Sequence, residues 1–109
     1  MAENKQQKLQ ELQFLEHSIQ NLILQKQAFD MELSETKSAL EELNSSSEEV
    51  YKIIGQLMIK TDKKKILEEL HNKEKLLSVR VSSLEKQEKS LSEKVESIRE
   101  EILSENKKK

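Results

Sequence analysis

The middle of the chain reads Val50-Tyr51-Lys52-Ile53-Ile54-Gly55-Gln56-Leu57-Met58-Ile59-Lys60-Thr61, an apolar segment in a sequence of which 37% is charged. β-Branched and aromatic residues stand on both sides of Gly55, the only glycine among 109 residues. Such side chains suit a pleated strand, and glycine suits the turn between two strands. The segment therefore predicts one β-hairpin over about residues 50–60.

Heptad spacing occupies the chain on both sides of this segment. Alternate steps of three and four residues from Leu12 give ten positions, of which eight are apolar: Leu12, Leu15, Ile19, Leu22, Lys26, Phe29, Leu33, Thr36, Leu40 and Leu43. The same steps from Leu67 give eleven, of which nine are apolar: Leu67, Leu70, Glu74, Leu77, Val81, Leu84, Glu88, Leu91, Val95, Ile98 and Ile102. A disordered polar chain has no reason to keep this spacing. The runs predict coiled-coil helices over about residues 4–44 and 62–105.

The two runs are mirror images about residue 55. Taken in reverse order, Leu43 matches Leu67 and Leu12 matches Ile98, and the numbers in each such pair add to 110. An a position then meets a d position, as an antiparallel coiled coil requires. We predict a mostly α fold in one domain over residues 1–109. Two helices, each roughly 60 Å long, form an antiparallel coiled-coil hairpin with one short β-hairpin between them.

Composition excludes several classes of protein. The chain has no Cys, which removes disulfides and thiolate metal sites and suits a reducing compartment. Its N-terminus lacks the apolar core of a signal peptide, and no window approaches 18 apolar residues. We therefore expect a soluble, cytoplasmic chain with no membrane partner. A net charge of −2 gives no general attraction to nucleic acid.

Polar residues interrupt both runs in a matching register. Thr36 is expected to face Glu74, and Lys26 and Glu88 fall in adjacent layers. A Lys26–Glu88 contact would help to fix the register of the coiled coil. In the alternative arrangement both side chains extend to water without touching.

The predicted β-hairpin has apolar residues on both faces. An isolated two-stranded hairpin is marginally stable in water, and a slender helical pair cannot cover two faces and two edges. We therefore predict that the chain oligomerises through this segment. The candidate assembly residues are Val50, Tyr51, Ile53, Ile54, Leu57, Met58 and Ile59.

The order of helix, β-hairpin and helix resembles the prefoldin family. The hairpin is the most specific part, with support from Gln25-Lys26-Gln27 and from Leu84-Glu85-Lys86-Gln87-Glu88-Lys89. A single hairpin resembles the β type of subunit. The resemblance implies a hetero-hexamer of α-type and other β-type subunits, whose strands assemble into an intersubunit β-barrel. It also implies a chaperone that uses no ATP and no cofactor, holds unfolded proteins at the coiled-coil tips, and passes them to a group II chaperonin.

A site for unfolded clients requires apolar side chains outside the coiled-coil core. Leu9, Phe14 and Leu103 lie off the heptad positions near the chain ends, and we expect the ends to fray and expose four core positions as well. Scattered surface apolar residues are also common without any function. The candidate client-binding residues are Leu9, Leu12, Phe14, Leu15, Ile98, Ile102 and Leu103.

The residues give no sign of enzymatic chemistry. Neither His17 nor His71 stands four residues from a second His, and adjacent acids such as Glu41 and Glu42 point about 100° apart on a helix. We therefore predict no catalytic, cofactor or metal site. Two other classes remain open: an RNA-binding helical arm, which the interspersed acids disfavour, and a structural coiled-coil tether in a larger complex without client binding. A tether accounts for the helices but not for the two-faced apolar hairpin.

Overall fold

The computed structural model describes residues 2–45 and 49–107, with the side chains of 4–45 and 49–105. The elements are helix α1, Ala2–Ser45; strand β1, Val50–Ile54; strand β2, Leu57–Thr61; and helix α2, Lys63–Lys107. This order confirms the predicted fold class of two long helices with one antiparallel β-hairpin between them. The serine cluster at 45–47 predicts a loop after the first helix. Ser45 instead ends α1, and Ser46 and Ser47 lie outside the described residues.

The start of α2 is fixed by an N-terminal cap. Asp62 directly precedes the helix, and its Oδ1 accepts a hydrogen bond from the backbone N–H of Lys64 at 3.2 Å. The Asp62 carbonyl accepts the first helical hydrogen bond, from Ile66 N–H at 3.0 Å. The cap satisfies one of the N–H groups that a helix leaves unpaired at its N-terminus. Asp62 is therefore the N-cap of α2.

Gly55 and Gln56 form the two-residue turn between the strands. The strands pair in a register that joins Ile54 to Leu57 next to the turn and Val50 to Thr61 at the open end. Gly55 has φ of 60°, and no described residue other than glycine has positive φ. Positive φ at the first central residue alone is the pattern of a type II′ turn, which matches the twist of the flanking strands. The single glycine therefore stands where the backbone needs it.

The chain divides into two compact units. We call the described residues of 1–27 and 82–109 the terminal unit, and residues 28–81, which include both strands, the hairpin unit. In the terminal unit Leu15, Val95 and Ile98 are buried together. The partly buried residues that pack against them are Leu12, Ile19, Leu91 and Ile102. Every member of this cluster is a predicted heptad position.

Ion pairs in the terminal unit show that its two helical segments are antiparallel. Glu16 pairs with Arg99 at 2.8 Å, and Lys26 pairs with Glu85 at 3.3 Å. A rising number in α1 therefore meets a falling number in α2. Both distances are between partly exposed groups, so the pairs contribute little to stability beyond register.

The hairpin unit has the same antiparallel arrangement of its helical segments. The Arg80 guanidinium lies over the Phe29 ring, 5.7 Å from its centroid, and Lys73 pairs with Glu32 at 3.1 Å. The guanidinium is attracted to the ring face and covers a partly buried aromatic side chain. The buried apolar residues of this unit are Leu40, Leu77 and Val81.

The heptad positions are buried or half-buried as predicted, but one predicted contact of a heptad residue is wrong. Every position in both runs is buried or half-buried. Lys26, however, reaches Glu85 at 3.3 Å and not Glu88. The mirror register places Lys26 opposite Leu84, so the shortest way out of the core leads its ammonium to the next residue, Glu85. The predicted Lys26–Glu88 contact is therefore wrong, while the register that it was meant to fix is correct.

Thr36 is a buried polar position at which we expect a stabilising substitution. It is 4% exposed, and its hydroxyl donates to the Glu32 carbonyl at 2.8 Å within the same helix. A hydroxyl that donates to a carbonyl of its own helix slightly destabilises the helix. The second methyl group of a valine would fill the space of the Thr36 hydroxyl. Thr36→Val is expected to raise the free energy of unfolding by about 0.5–1 kcal/mol, whereas Thr36→Ser, which keeps the hydroxyl and loses the methyl, should lower it by about 1 kcal/mol. Urea unfolding of both variants at one protein concentration checks the signs; destabilisation by valine would contradict this account.

Candidate assembly and client-binding surfaces

The β-hairpin presents one apolar surface on each face. Residues paired across an antiparallel ladder point to the same side. Ile54 and Leu57, with Lys52 and Ile59, therefore occupy one face, and Ile53 and Met58, with Tyr51 and Lys60, occupy the other. Both faces carry large apolar side chains, so neither is the polar, solvent-facing side of an ordinary two-layer sheet.

Six of the seven candidate assembly residues are exposed, and Val50 is half-buried. Ile53 and Met58, paired across the strands, are 71% and 69% exposed. The exposed members of the set are Tyr51, Ile53, Ile54, Leu57, Met58 and Ile59. Apolar residues gathered in one short segment are the usual mark of a protein–protein interface rather than of a free surface.

Both outer edges of the hairpin also offer backbone groups. In an antiparallel ladder the residues of alternate pairs exchange both hydrogen bonds, and those between them point outward. Because Ile54 and Leu57 close the two-residue turn, the outward residues are Tyr51 and Ile53 on β1 and Met58 and Lys60 on β2. Each edge can pair with a further strand.

Polar side chains hold the open end of the hairpin. The Glu49 carboxylate accepts hydrogen bonds from the Tyr51 hydroxyl and from Lys60 Nζ, each at 2.9 Å. These bonds, with Lys60 first, lower the pKa of Glu49. On the other face Lys52 pairs with Glu69 of α2 at 3.6 Å. The two charged residues of the hairpin are therefore neutralised beside its apolar side chains.

The candidate client-binding residues fall into two groups in the terminal unit. Phe14, Leu103 and Leu9 are exposed, Phe14 to 70%. The four heptad positions are packed: Leu15 and Ile98 are buried in the core cluster, with Leu12 and Ile102 against it. We expected these four to be exposed by fraying, but in this structure they are held by the pairing of the two helices.

An ion-pair network explains part of this order near the chain ends. Lys8 donates a hydrogen bond to Glu105 and lies 3.5 Å from Glu101. These contacts and the Glu16–Arg99 pair were not predicted. Lys8 and Glu105 continue the two heptad runs at the chain ends, and Glu16, Arg99 and Glu101 flank the core. Such ion pairs could have been predicted from the sequence, since charges beside an apolar core commonly pair across an antiparallel coiled coil.

The Lys8–Glu105 pair predicts a pH dependence of stability. The hydrogen bond from Lys8 lowers the pKa of Glu105 from its ordinary 4.5, and the same bond raises the pKa of Lys8 from 10.5. The contribution of Glu105 is therefore present above its unfolded pKa and lost as pH falls through the lowered value, and that of Lys8 is lost as pH rises through its raised value. The difference in unfolding free energy between wild type and Glu105→Gln should be present near neutral pH and vanish in acid.

Urea unfolding across the acid range, with Glu100→Gln as the control for loss of a charge at this end of α2, checks the prediction. The pair is only partly buried and remains accessible to solvent, so the difference is expected to be small. A difference that stays constant from neutral pH into strong acid would contradict it.

No cluster of three or more potential metal ligands occurs within residues 2–45 and 49–107. Over the same residues, neither helix has a stretch apolar enough to cross a membrane.

Comparison with known proteins agrees with this architecture. The family model described as prefoldin subunit matches residues 6–109. The prefoldin subunit beta of Thermococcus onnurineus is 44% identical over 96 residues, which cover 86% of this chain and 83% of that relative. The prefoldin subunit beta of Thermoplasma volcanium is 37% identical over 110 residues, covering 94% and 89%.

Solved structures show the same similarity. The crystal structure of the prefoldin beta subunit from Thermococcus strain KS-1 superposes with a TM-score of 0.86 at 39% identity, covering 93% of this chain and 90% of that one. The prefoldin beta2 subunit from the same strain superposes with a TM-score of 0.72 at 18% identity, a likeness of fold alone. The chain thus belongs to the prefoldin family, whose members are coiled-coil chaperone subunits and not enzymes.

Proposed function

We propose that this chain is the β-type subunit of a hetero-hexameric, ATP-independent chaperone, in which α-type and other β-type subunits join through their β-hairpins. The observation that carries the proposal is the exposure of large apolar side chains on both faces of the hairpin. One partner surface can cover one face, so two apolar faces favour an arrangement in which strands of neighbouring subunits close into an intersubunit β-barrel. A structural tether would not need this surface.

The capture of unfolded proteins is assigned to the terminal unit. Leu9, Phe14 and Leu103 supply exposed apolar area there, and separation of the helix ends would add Leu12, Leu15, Ile98 and Ile102. Each contact with a client is weak, but several subunits acting together gain avidity. On this proposal the complex works in the cytoplasm and passes its clients to a group II chaperonin.

Aggregation of a chemically unfolded protein, followed by light scattering, tests client capture. The wild-type chain, assembled with an α-type subunit, should suppress the scattering. The triple variant Leu9→Ser, Phe14→Ser, Leu103→Ser should lose most of that suppression, about tenfold in the amount of complex required. These substitutions leave the buried cluster intact, whereas truncation of either chain end would also remove Leu15 or Ile98 from the core.

A matched control keeps the number and exposure of the substituted residues. Met31, Leu76 and Val79 are exposed apolar residues of the hairpin unit outside the strands. Their replacement by serine should leave suppression unchanged. Equal loss in both triple variants would mean that apolar surface in general, and not the terminal unit, retains the client. A complex that falls apart in the Leu9, Phe14, Leu103 variant would assign those residues to assembly instead.

A further inference from the structure

The outward side of α1 in the terminal unit carries a second stripe with heptad spacing. Phe14, His17, Asn21 and Leu24 follow one another by three, four and three residues, on the side of the helix away from the core. All four are exposed, Phe14 to 70% and Leu24 to 64%. We call them the outer stripe. Gln13, Gln20 and Gln27 lie along one flank, so this surface has no formal charge when His is neutral.

The corresponding surface of α2 is different in kind. Among the described side chains, its outward heptad positions in the terminal unit are all exposed and contain only serine and charged residues: Ser83, Lys86, Ser90, Glu93, Ser97, Glu100 and Ser104. Solvated charges are the usual content of the outer positions of a coiled coil. The absence of charge on α1 is therefore a property of that helix and does not follow from the fold.

Spacing and residue order together identify what this surface fits. Alternate steps of three and four residues form a ridge that packs against another helix. Along the outer stripe the order is apolar, polar, polar, apolar, which reads the same in both directions. In an antiparallel pair of copies Phe14 meets Leu24 of the second copy and His17 meets Asn21 of the second copy. Apolar residues therefore contact apolar residues, and polar residues contact polar residues.

We propose that the outer stripe is a contact between two copies of this chain, formed by α1 against α1 in antiparallel orientation about a twofold axis. The antiparallel direction opposes the two helix dipoles and pairs an imidazole with an amide rather than with a second imidazole. Self-complementary contacts of this kind are the commonest form of association between identical chains.

The contact is weak and separate from the β-hairpin. Four residues a side bury far less than the roughly 800 Å² per partner of a standard stable interface. It therefore joins chains, or hairpin-mediated complexes, at high concentration. The proposal does not depend on client capture, but Phe14 belongs to both surfaces. A client bound at Phe14 would compete with the second copy.

Charge complementation tests the proposal on the full chain. Sedimentation velocity without any client measures the growth of mass with protein concentration for wild type, Phe14→Lys, Leu24→Glu and a 1:1 mixture of the two variants. Each variant alone should lower the association constant by about 100-fold. Because of the twofold axis, one substitution disrupts both of the Phe14–Leu24 contacts in the pair of copies. The mixture should recover most of the wild-type association, since one layer remains Phe against Leu and the other becomes Lys against Glu.

Three results would overturn the proposal. The wild-type mass could be independent of concentration, the single variants could associate as well as wild type, or the mixture could fail to recover. The last result also excludes the antiparallel register specifically, because a parallel pair would not bring residues 14 and 24 together. Both substitutions are on exposed positions, and equal helicity by circular dichroism confirms that the variants fold. Loss of client binding by Leu24→Glu with no change in mass would assign the stripe to clients and contradict the contact between copies.

Discussion

Replacement of Ile53 and Met58 by lysine is expected to release the chain from its oligomers while both helices remain formed. The two side chains are directly paired across the strands and are 71% and 69% exposed in the isolated chain, so the substitutions disturb no internal packing. In an assembly they would become buried, and two lysines would replace apolar contacts with unpaired charges. The loss of two apolar contacts alone corresponds to about three orders of magnitude in the association constant.

Analytical size exclusion with light scattering, on the chain mixed with an α-type subunit, measures this loss. Leu76→Lys with Val79→Lys is the matched control, since these residues are also exposed, apolar and in the hairpin unit, but lie on α2. The control should assemble as wild type does. If the hairpin variant assembled normally, the exposed faces of the hairpin would have no part in the interface.

Ile98→Ala is expected to lower the stability of the terminal unit markedly. Ile98 is 8% exposed and packs with Leu15 and Val95 in the core cluster of the terminal unit. Truncation of a buried isoleucine removes apolar contacts and leaves a cavity, and about 2–3 kcal/mol of unfolding free energy should be lost. The helices of the terminal unit have no other buried apolar cluster among the described residues, so the loss should appear as earlier melting of helicity.

Leu103→Ala provides the internal comparison for this prediction. Leu103 is similar in size and lies on the same helix five residues further on, but it is exposed. Its truncation should change stability by no more than about 0.5 kcal/mol. Both variants are compared with wild type by thermal unfolding at one protein concentration, because assembly makes the midpoint concentration-dependent. Equal effects at the two positions would mean that the helix ends are frayed in solution.

The fold could be predicted from the sequence because its two determinants are local. Heptad spacing fixes which side of each helix is buried, and the mirror relation of the two runs about Gly55 fixes which positions meet. Leu15, Val95 and Ile98 were all identified in this way, and they form the core cluster. The position of the turn could also be predicted, since one glycine stands between two β-branched segments, but its type II′ geometry could not.

The details that were missed or wrong depend on side-chain geometry, which spacing does not specify. Lys26 was assigned to Glu88 on the basis of adjacent layers, but its long side chain leaves the core toward Glu85. Exposure of Leu12 and Ile102 by fraying of the chain ends stays a prediction; in the structure both residues pack against the core cluster, and Lys8 pairs with Glu101 and Glu105 nearby. The heptad spacing of the outer stripe of α1 can be read from the sequence. Phe14 was predicted only as a single exposed apolar residue, without its order relative to His17, Asn21 and Leu24.

Light scattering on the purified chain, alone and mixed with an α-type subunit at low micromolar concentration, tests most directly whether the hairpin is an assembly element. The account predicts a discrete complex of about six chains in the mixture, with dissociation when Ile53 and Met58 are replaced by lysine. A stable, fully helical monomer under both conditions would contradict it, because the exposed apolar faces of the hairpin would then need no partner.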